Sequence, residues 1–131
     1  MRVFKTKWFT RFARKEHIGD SMLEMAAREV EKGLHDGDLG RGLIKKGVAR
    51  RERGQERGLQ DNHCLSRTHV RSVFVYDFPK SAKANLSSLE LDVYRKLAQI
   101  FLAFSDADME KASKEGEVEE VSYGGEKEIS D

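Results

Sequence analysis

The sequence predicts an α+β domain, and three observations carry that prediction. Residues 72–78 are nearly all strand formers, with Val73, Phe74, Val75, Tyr76 and Phe78 in one run. Residues 22–34 and 88–104 repeat apolar side chains at three- and four-residue steps, which is the helical period. Apolar residues make up 38% of the 131-residue chain and charged residues 36%, so there is material for one modest core and not for two.

Taken in order, residues 2–6 read as a short edge strand and residues 7–16 as a first helix with Trp8, Phe9, Phe12 and Ala13 on one side. Asp20 or Ser21 can cap a second helix whose stripe is Met22, Leu23, Ala26, Ala27, Val30 and Leu34. The glycines and aspartates of residues 35–40 suit a turn. Residues 42–49 read as a strand, with Leu43, Ile44 and Val48 apolar and the pair Lys45 and Lys46 between them. Ser87 followed three residues later by Glu90 signals a capped helix over 88–104, able to bury Leu89, Val93, Tyr94, Leu97, Ala98, Phe101 and Leu102. Ser105 caps a short last helix ending at Gly116, and residues 118–123 add a strand. The expected organisation is one domain over residues 1–123 and a loose acidic tail over 124–131.

Residues 51–70 break this order. The stretch RERGQERGLQDNHCLSRTHV follows neither a two-residue nor a helical period and has few apolar side chains. By pattern it is a loop of about twenty residues, unusually long for a compact domain, and it leaves the sheet without a central member.

The net charge of +1 conceals an asymmetry. Residues 105–131 hold ten acids against Lys111, Lys114 and Lys127, so the first 104 residues carry a net +8. A basic body of that size attracts a polyanion such as RNA or DNA. The lone Cys64 cannot form an intrachain disulfide, the N-terminus lacks a signal-peptide run, and the apolar run 100–104 is too short to cross a bilayer. These features predict a cytoplasmic protein that does not engage membranes. His63, Cys64 and His69 bring metal-ligand types close together, but without the matched spacing of a zinc site, so no metal is expected.

The segments RVFKTKWFTRFARKE, GLIKKGVAR and VFVYDFPKSAKANLSSLELDVYRKLAQ, with the late EGEVEEV, resemble toxins of the RelE/ParE superfamily in its HigB-related branch. The usual family text there is close to KKRVAR, then GKSGGYRTIIAYR, then VFVYGFAKS and a closing helix. The resemblance spans nearly the whole chain and fails only over residues 54–70. It implies a small antiparallel sheet packed against two N-terminal helices and a C-terminal helix. It further implies the toxin of a type II toxin–antitoxin pair, a ribosome-dependent endoribonuclease that cuts messenger RNA without a metal or cofactor. The implied partners are the mRNA on the ribosome and an antitoxin with a helix-turn-helix, encoded in the adjacent gene.

Carried over onto this chain, the catalytic residues are Lys46, Arg50 and Lys80, with Lys45, Lys83 and Arg71 as further RNA-binding bases. Such a site needs a proton acceptor, a proton donor and positive charge around a phosphorane. Four positions depart from the family text: Gln60 stands where an arginine is expected, Leu59 where an aromatic is, Asp77 for glycine and Pro79 for alanine. These departures predict weakened cleavage, and the alternative is a non-enzymatic toxin-like protein that binds gyrase or only its antitoxin.

The deviant stretch has an arithmetical counterpart. Read one base later, a permitted codon string for residues 54–69 spells GKSGGYRTIIAYRAH, with Thr, Ile and Ile at positions 61–63. The expectation is two compensating frameshifts in the encoding sequence, around residues 51–54 and 69–71.

Overall fold

The computed structural model describes residues 1–52, 55–68, 70–79 and 85–121; for 49–52 and 55–60 it describes the backbone alone. The elements run β1 (Arg2–Thr6), α1 (Lys7–Lys15), α2 (Asp20–Glu31), β2 (Gly37–Gly40), β3 (Leu43–Glu52), β4 (Gln55–Arg67), β5 (Arg71–Pro79), α3 (Ser88–Ala103), α4 (Asp106–Lys114) and β6 (Val118–Glu120). The α+β class predicted from the sequence is the one observed. The acidic tail, residues 124–131, and residues 53, 54 and 69 at the two suggested shift points lie outside the described residues.

The strands form one six-stranded sheet in the order β2-β3-β4-β5-β1-β6. Every pairing is antiparallel except that of β1 with β5, so the sheet is mixed rather than wholly antiparallel. The helical pair that follows β1 is long enough to carry the chain across the sheet, which is what lets β1 lie parallel to a later strand. Helices cover both faces. On one, Phe9 and Ala13 of α1 and Leu23, Ala26, Ala27 and Val30 of α2 pack on Val3, Ile44, Leu65 and Phe74. On the other, Ala98 and Phe101 of α3 and Met109 and Ala112 of α4 pack on Phe4, Leu43, Cys64, Val73, Val75 and Phe78.

The starts of α3 and α4 follow the sequence signals, whereas the cap expected for α2 at Asp20 or Ser21 does not form. Thr6 accepts a hydrogen bond from the Phe9 N–H at the start of α1, and full capping boxes open α3 (Ser87 with Glu90) and α4 (Ser105 with Asp108). The cap of α2 is Gly19, which leaves Asp20 in the first turn, where its charge suits the helix dipole.

Four expectations are corrected. Strand β1 is interior, between β5 and β6, not an edge. The turn expected over 35–40 contains β2, because the Asp36 carboxylate and backbone anchor the segment to Gly47 and Lys45 of β3. The apolar stripe of α3 is less covered than its period suggests, since Leu89, Val93 and Leu102 stay exposed and only Ala98 and Phe101 are fully buried. The largest correction concerns residues 51–70. They are no loop: β3 continues to Glu52, and β4 fills the place between β3 and β5. Both faces of β4 are covered at residues 61–66, so an alternating pattern is not required there.

One irregularity positions the site. His63 pairs with Asp77 and Cys64 with Tyr76, but Leu65 pairs with Phe74, so Val75 is an extra residue in β5. The bulge lets Val75 and Tyr76 both face α3 and brings Asp77 to the α1/α2 face beside Phe74.

Candidate functional site

On the α1/α2 face the register places Lys46 of β3, His63 of β4 and Asp77 of β5 in one row across three strands. Ile44 and Val48, two positions to either side of Lys46, belong to the core on this face, which fixes the direction of the lysine. Its ammonium meets the carboxylate of Glu29, in the last turn of α2, at 2.8 Å, and its side chain is only 13% exposed against 43% for Glu29. His63 donates from Nδ1 to the Asp77 carboxylate, and both side chains are almost fully buried. The imidazole also lies edge-on to the rings of Phe9 and Phe74, at 5.5 and 5.7 Å between centroids. Packed against those rings and buried to that degree, the pair is a structural contact within the core.

Lys45 points the other way. Its neighbour Leu43 packs under α3, and its own ammonium donates to the Asn85 side chain at 3.2 Å. Asn85 is the first described residue after the segment 80–84, which holds Lys80 and Lys83; those two lysines lie outside the described residues. Near Lys45 on this face, the Tyr76 hydroxyl donates to Glu90 at 3.3 Å and the Tyr76 ring stacks on Tyr94 at 4.4 Å. Burial pushes the Tyr94 phenol up to about 12, helped by the nearby Tyr76 and Glu90. A phenol so reluctant to ionise is a hydrogen-bond donor at neutral pH and not a base.

The sequence-derived residues therefore divide. Lys45 and Lys46 are adjacent in sequence but face opposite sides of the sheet. Arg50 belongs to β3 where its pairing with β4 shifts register between Ala49 and Arg51; its side chain is outside the described residues. Arg71 stands apart, six residues before Asp77 and so roughly 20 Å away along β5. Its guanidinium is buried, donating to the Phe104 carbonyl at 3.1 Å and to Asp106 at 3.3 Å. There it fastens the α3–α4 junction to the sheet. Glu29 and the His63–Asp77 contact are absent from the sequence reading. The first is one of many helix acids, and the second depends on pairing that residues 51–70 do not signal.

A groove of about 650 Å³ opens between α1 and α3 at the end of β5, with Trp8, Phe12, Val93, Leu97 and Ile100 among its walls. Among the described residues no cluster of His, Cys, Asp and Glu could hold a metal ion, and no helix is long and apolar enough to cross a membrane. His63 and Cys64 face opposite sides of the sheet, so they cannot ligate one ion together.

No curated protein and no solved structure matches the chain. The family described as the RelE toxin of the RelE/RelB toxin–antitoxin system matches over residues 1–121, which takes in every described strand and helix. The chain belongs to this RelE family of toxins, and its partner is accordingly an antitoxin.

Proposed function

We propose that the chain derives from a ribosome-dependent endoribonuclease of the HigB-related branch, one that cuts messenger RNA and so blocks translation in the cytoplasm. The observation that carries this reading is the basic strand β3. It sets Lys45 and Lys46 on its two sides and leads into Arg50 and Arg51, toward the end of the sheet where β5 runs into the segment bearing Lys80 and Lys83. In the reaction the ribose 2′-oxygen attacks the adjacent phosphorus, and the 5′-oxygen of the next nucleotide leaves. The products are a 2′,3′-cyclic phosphate and a free 5′-hydroxyl. One proton leaves the 2′-hydroxyl and one reaches the departing oxygen, with Lys46 and Lys80 as the exchanging groups. Arg50 matches the growing negative charge with two parallel hydrogen bonds, a geometry a lysine lacks. Lys45 and Lys83 hold neighbouring phosphates. The antitoxin, from the adjacent gene and carrying a helix-turn-helix, keeps the toxin silent.

The same reading holds that residues 54–69 are written out of frame. Residues 61–66 are buried on both faces of the central strand, yet Asp61, Asn62 and His63 are polar. The Asn62 amide nitrogen has no acceptor among the described residues. A buried amide left in that state costs about 1–3 kcal/mol. The shifted reading puts Thr, Ile and Ile at 61–63, which suits such a strand. It also returns an arginine to position 60, the fourth base of the family pattern, so the chain as written cleaves weakly.

A second reading, an antitoxin-binding remnant or a gyrase-binding toxin, is favoured by Gln60 and by the Asp77 carboxylate in the row with Lys46. Induced expression of the chain and of its frame-restored form separates the two. Growth arrest with cut transcripts from the restored form alone supports a damaged nuclease; gyrase inhibition without cleavage by either form supports the second. Sequencing the encoding DNA decides the frame, since codons incompatible with the shifted string end that part.

A further inference from the structure

We propose that Glu29 is a built-in substitute for the RNA phosphate, occupying Lys46 in the free protein and giving way when RNA binds. The inference rests on the reading of Lys46 as a catalytic group beside the scissile phosphate. A carboxylate and a phosphodiester both offer negatively charged oxygens to an ammonium at hydrogen-bond distance, and the Lys46–Glu29 contact of 2.8 Å has that geometry. The pair is lopsided in exposure. Lys46 is the more buried of the two and Glu29 the outer member, so an incoming anion meets Glu29 first and must displace it.

The position of Glu29 makes displacement easy. It sits in the last turn of α2, which closes on Gly33 at a φ of +87°, with Leu34 and Lys32 N–H groups bonding to the Glu29 carbonyl. The negative end of the helix dipole is there, and a carboxylate at that end is disfavoured. Arg28, beside it in the same turn, is engaged by Glu24. Among the described contacts Lys46 alone holds the Glu29 carboxylate. The result is an anion strong enough to neutralise Lys46 but anchored poorly enough to be exchanged, so weak polyanions are refused and RNA pays one exchange on entry.

The test uses the full chain and a fluorescein-labelled single-stranded RNA oligonucleotide, with binding read by anisotropy across a salt series. Glu29→Gln is expected to raise affinity roughly three- to tenfold, and Lys46→Gln to flatten the slope of log affinity against log salt by about 0.7, the value for one phosphate contact on a single strand. Glu31→Gln, an equal change of charge two residues away, is expected to do neither. In a Lys46→Gln background the gain from Glu29→Gln should vanish. Unchanged or reduced affinity of Glu29→Gln, while Lys46→Gln alone weakens binding, overturns the role of Glu29 and leaves the Lys46 reading standing. If Lys46→Gln binds as tightly as the parent, the Lys46 reading itself falls. A gain that persists without Lys46, or that Glu31→Gln reproduces, reduces Glu29 to a general charge effect and overturns the proposal.

Discussion

Strands β4 and β5 lie side by side in the middle of one sheet, each covered by helices on both faces, and differ in the balance of what they bury. In β5 the buried residues are the apolar Val73, Phe74, Val75 and Phe78 with the polar Arg71, Ser72 and Asp77; among the described side chains of β4 the polar Asp61, Asn62, His63 and Ser66 outnumber Cys64 and Leu65. Topology decides that a strand is buried, because β3 and β5 both present hydrogen-bonding edges that only a strand between them can satisfy. Whether that burial stabilises depends on the side chains. The apolar residues of β5 gain from leaving water, whereas each polar group of β4 must recover its lost hydration through a hydrogen bond.

The contrast is sharpest in single substitutions. Phe74→Ala removes a ring packed against Phe9 at 5.3 Å and should cost about 3–5 kcal/mol in urea unfolding. His63→Leu removes a partner from the buried Asp77 carboxylate and should cost about 3 kcal/mol. The double change His63→Leu with Asp77→Leu should return stability to within about 1 kcal/mol of the parent or above it, since the buried charge goes with its partner. A double variant as unstable as the single one would mean that the imidazole–carboxylate contact stabilises β4 by more than its desolvation costs. Asn62→Val, in contrast to any truncation in β5, should raise stability by about 1 kcal/mol, because the amide nitrogen it deletes has no acceptor among the described residues. A loss of that size instead would show that the written side chain is well satisfied.

The smallest effect belongs to β5's reach into α3. Tyr94, stacked on Tyr76, should keep its proton to about pH 12 instead of the usual 10, measured by phenolate absorbance. The folded value is raised, so this contribution to stability is whole below pH 10 and is lost as pH rises toward 12. Tyr76→Leu should bring the titration back toward 10, because one neighbour that raises it is gone.

The same two strands explain how much was legible in the sequence. The helices could be read from their periodicity, and α3 and α4 also from their capping residues, because those signals are local: Ser87 with Glu90 and Ser105 lie within a turn of what they cap. Strand β5 could be read because its side chains suit burial by themselves. Strand β4 could not, since Asp61, Asn62 and His63 carry no strand signal and their place depends on neighbours distant in sequence. The interior position of β1 was hidden for a related reason, as its parallel pairing with β5 joins residues nearly seventy positions apart. Of the site, Lys45 and Lys46 were visible as a pair, but their opposite orientations and the Glu29 contact follow from sheet and helix geometry. Arg71 looked like one more free base; its ties to Phe104 and Asp106 become visible only when α3 ends beside the start of β5.

The placement of β1 between β5 and β6 also bears on how the protein is made. Arg2 to Thr6 leave the ribosome well before their partners, which are Arg71 to Phe74 on one side and Val118 to Glu120 on the other. During synthesis the opening strand therefore waits, with both its edges unfilled, until most of the chain has emerged. The nascent toxin cannot complete its sheet early, and that interval is when a chaperone or the antitoxin has the most to gain by reaching it.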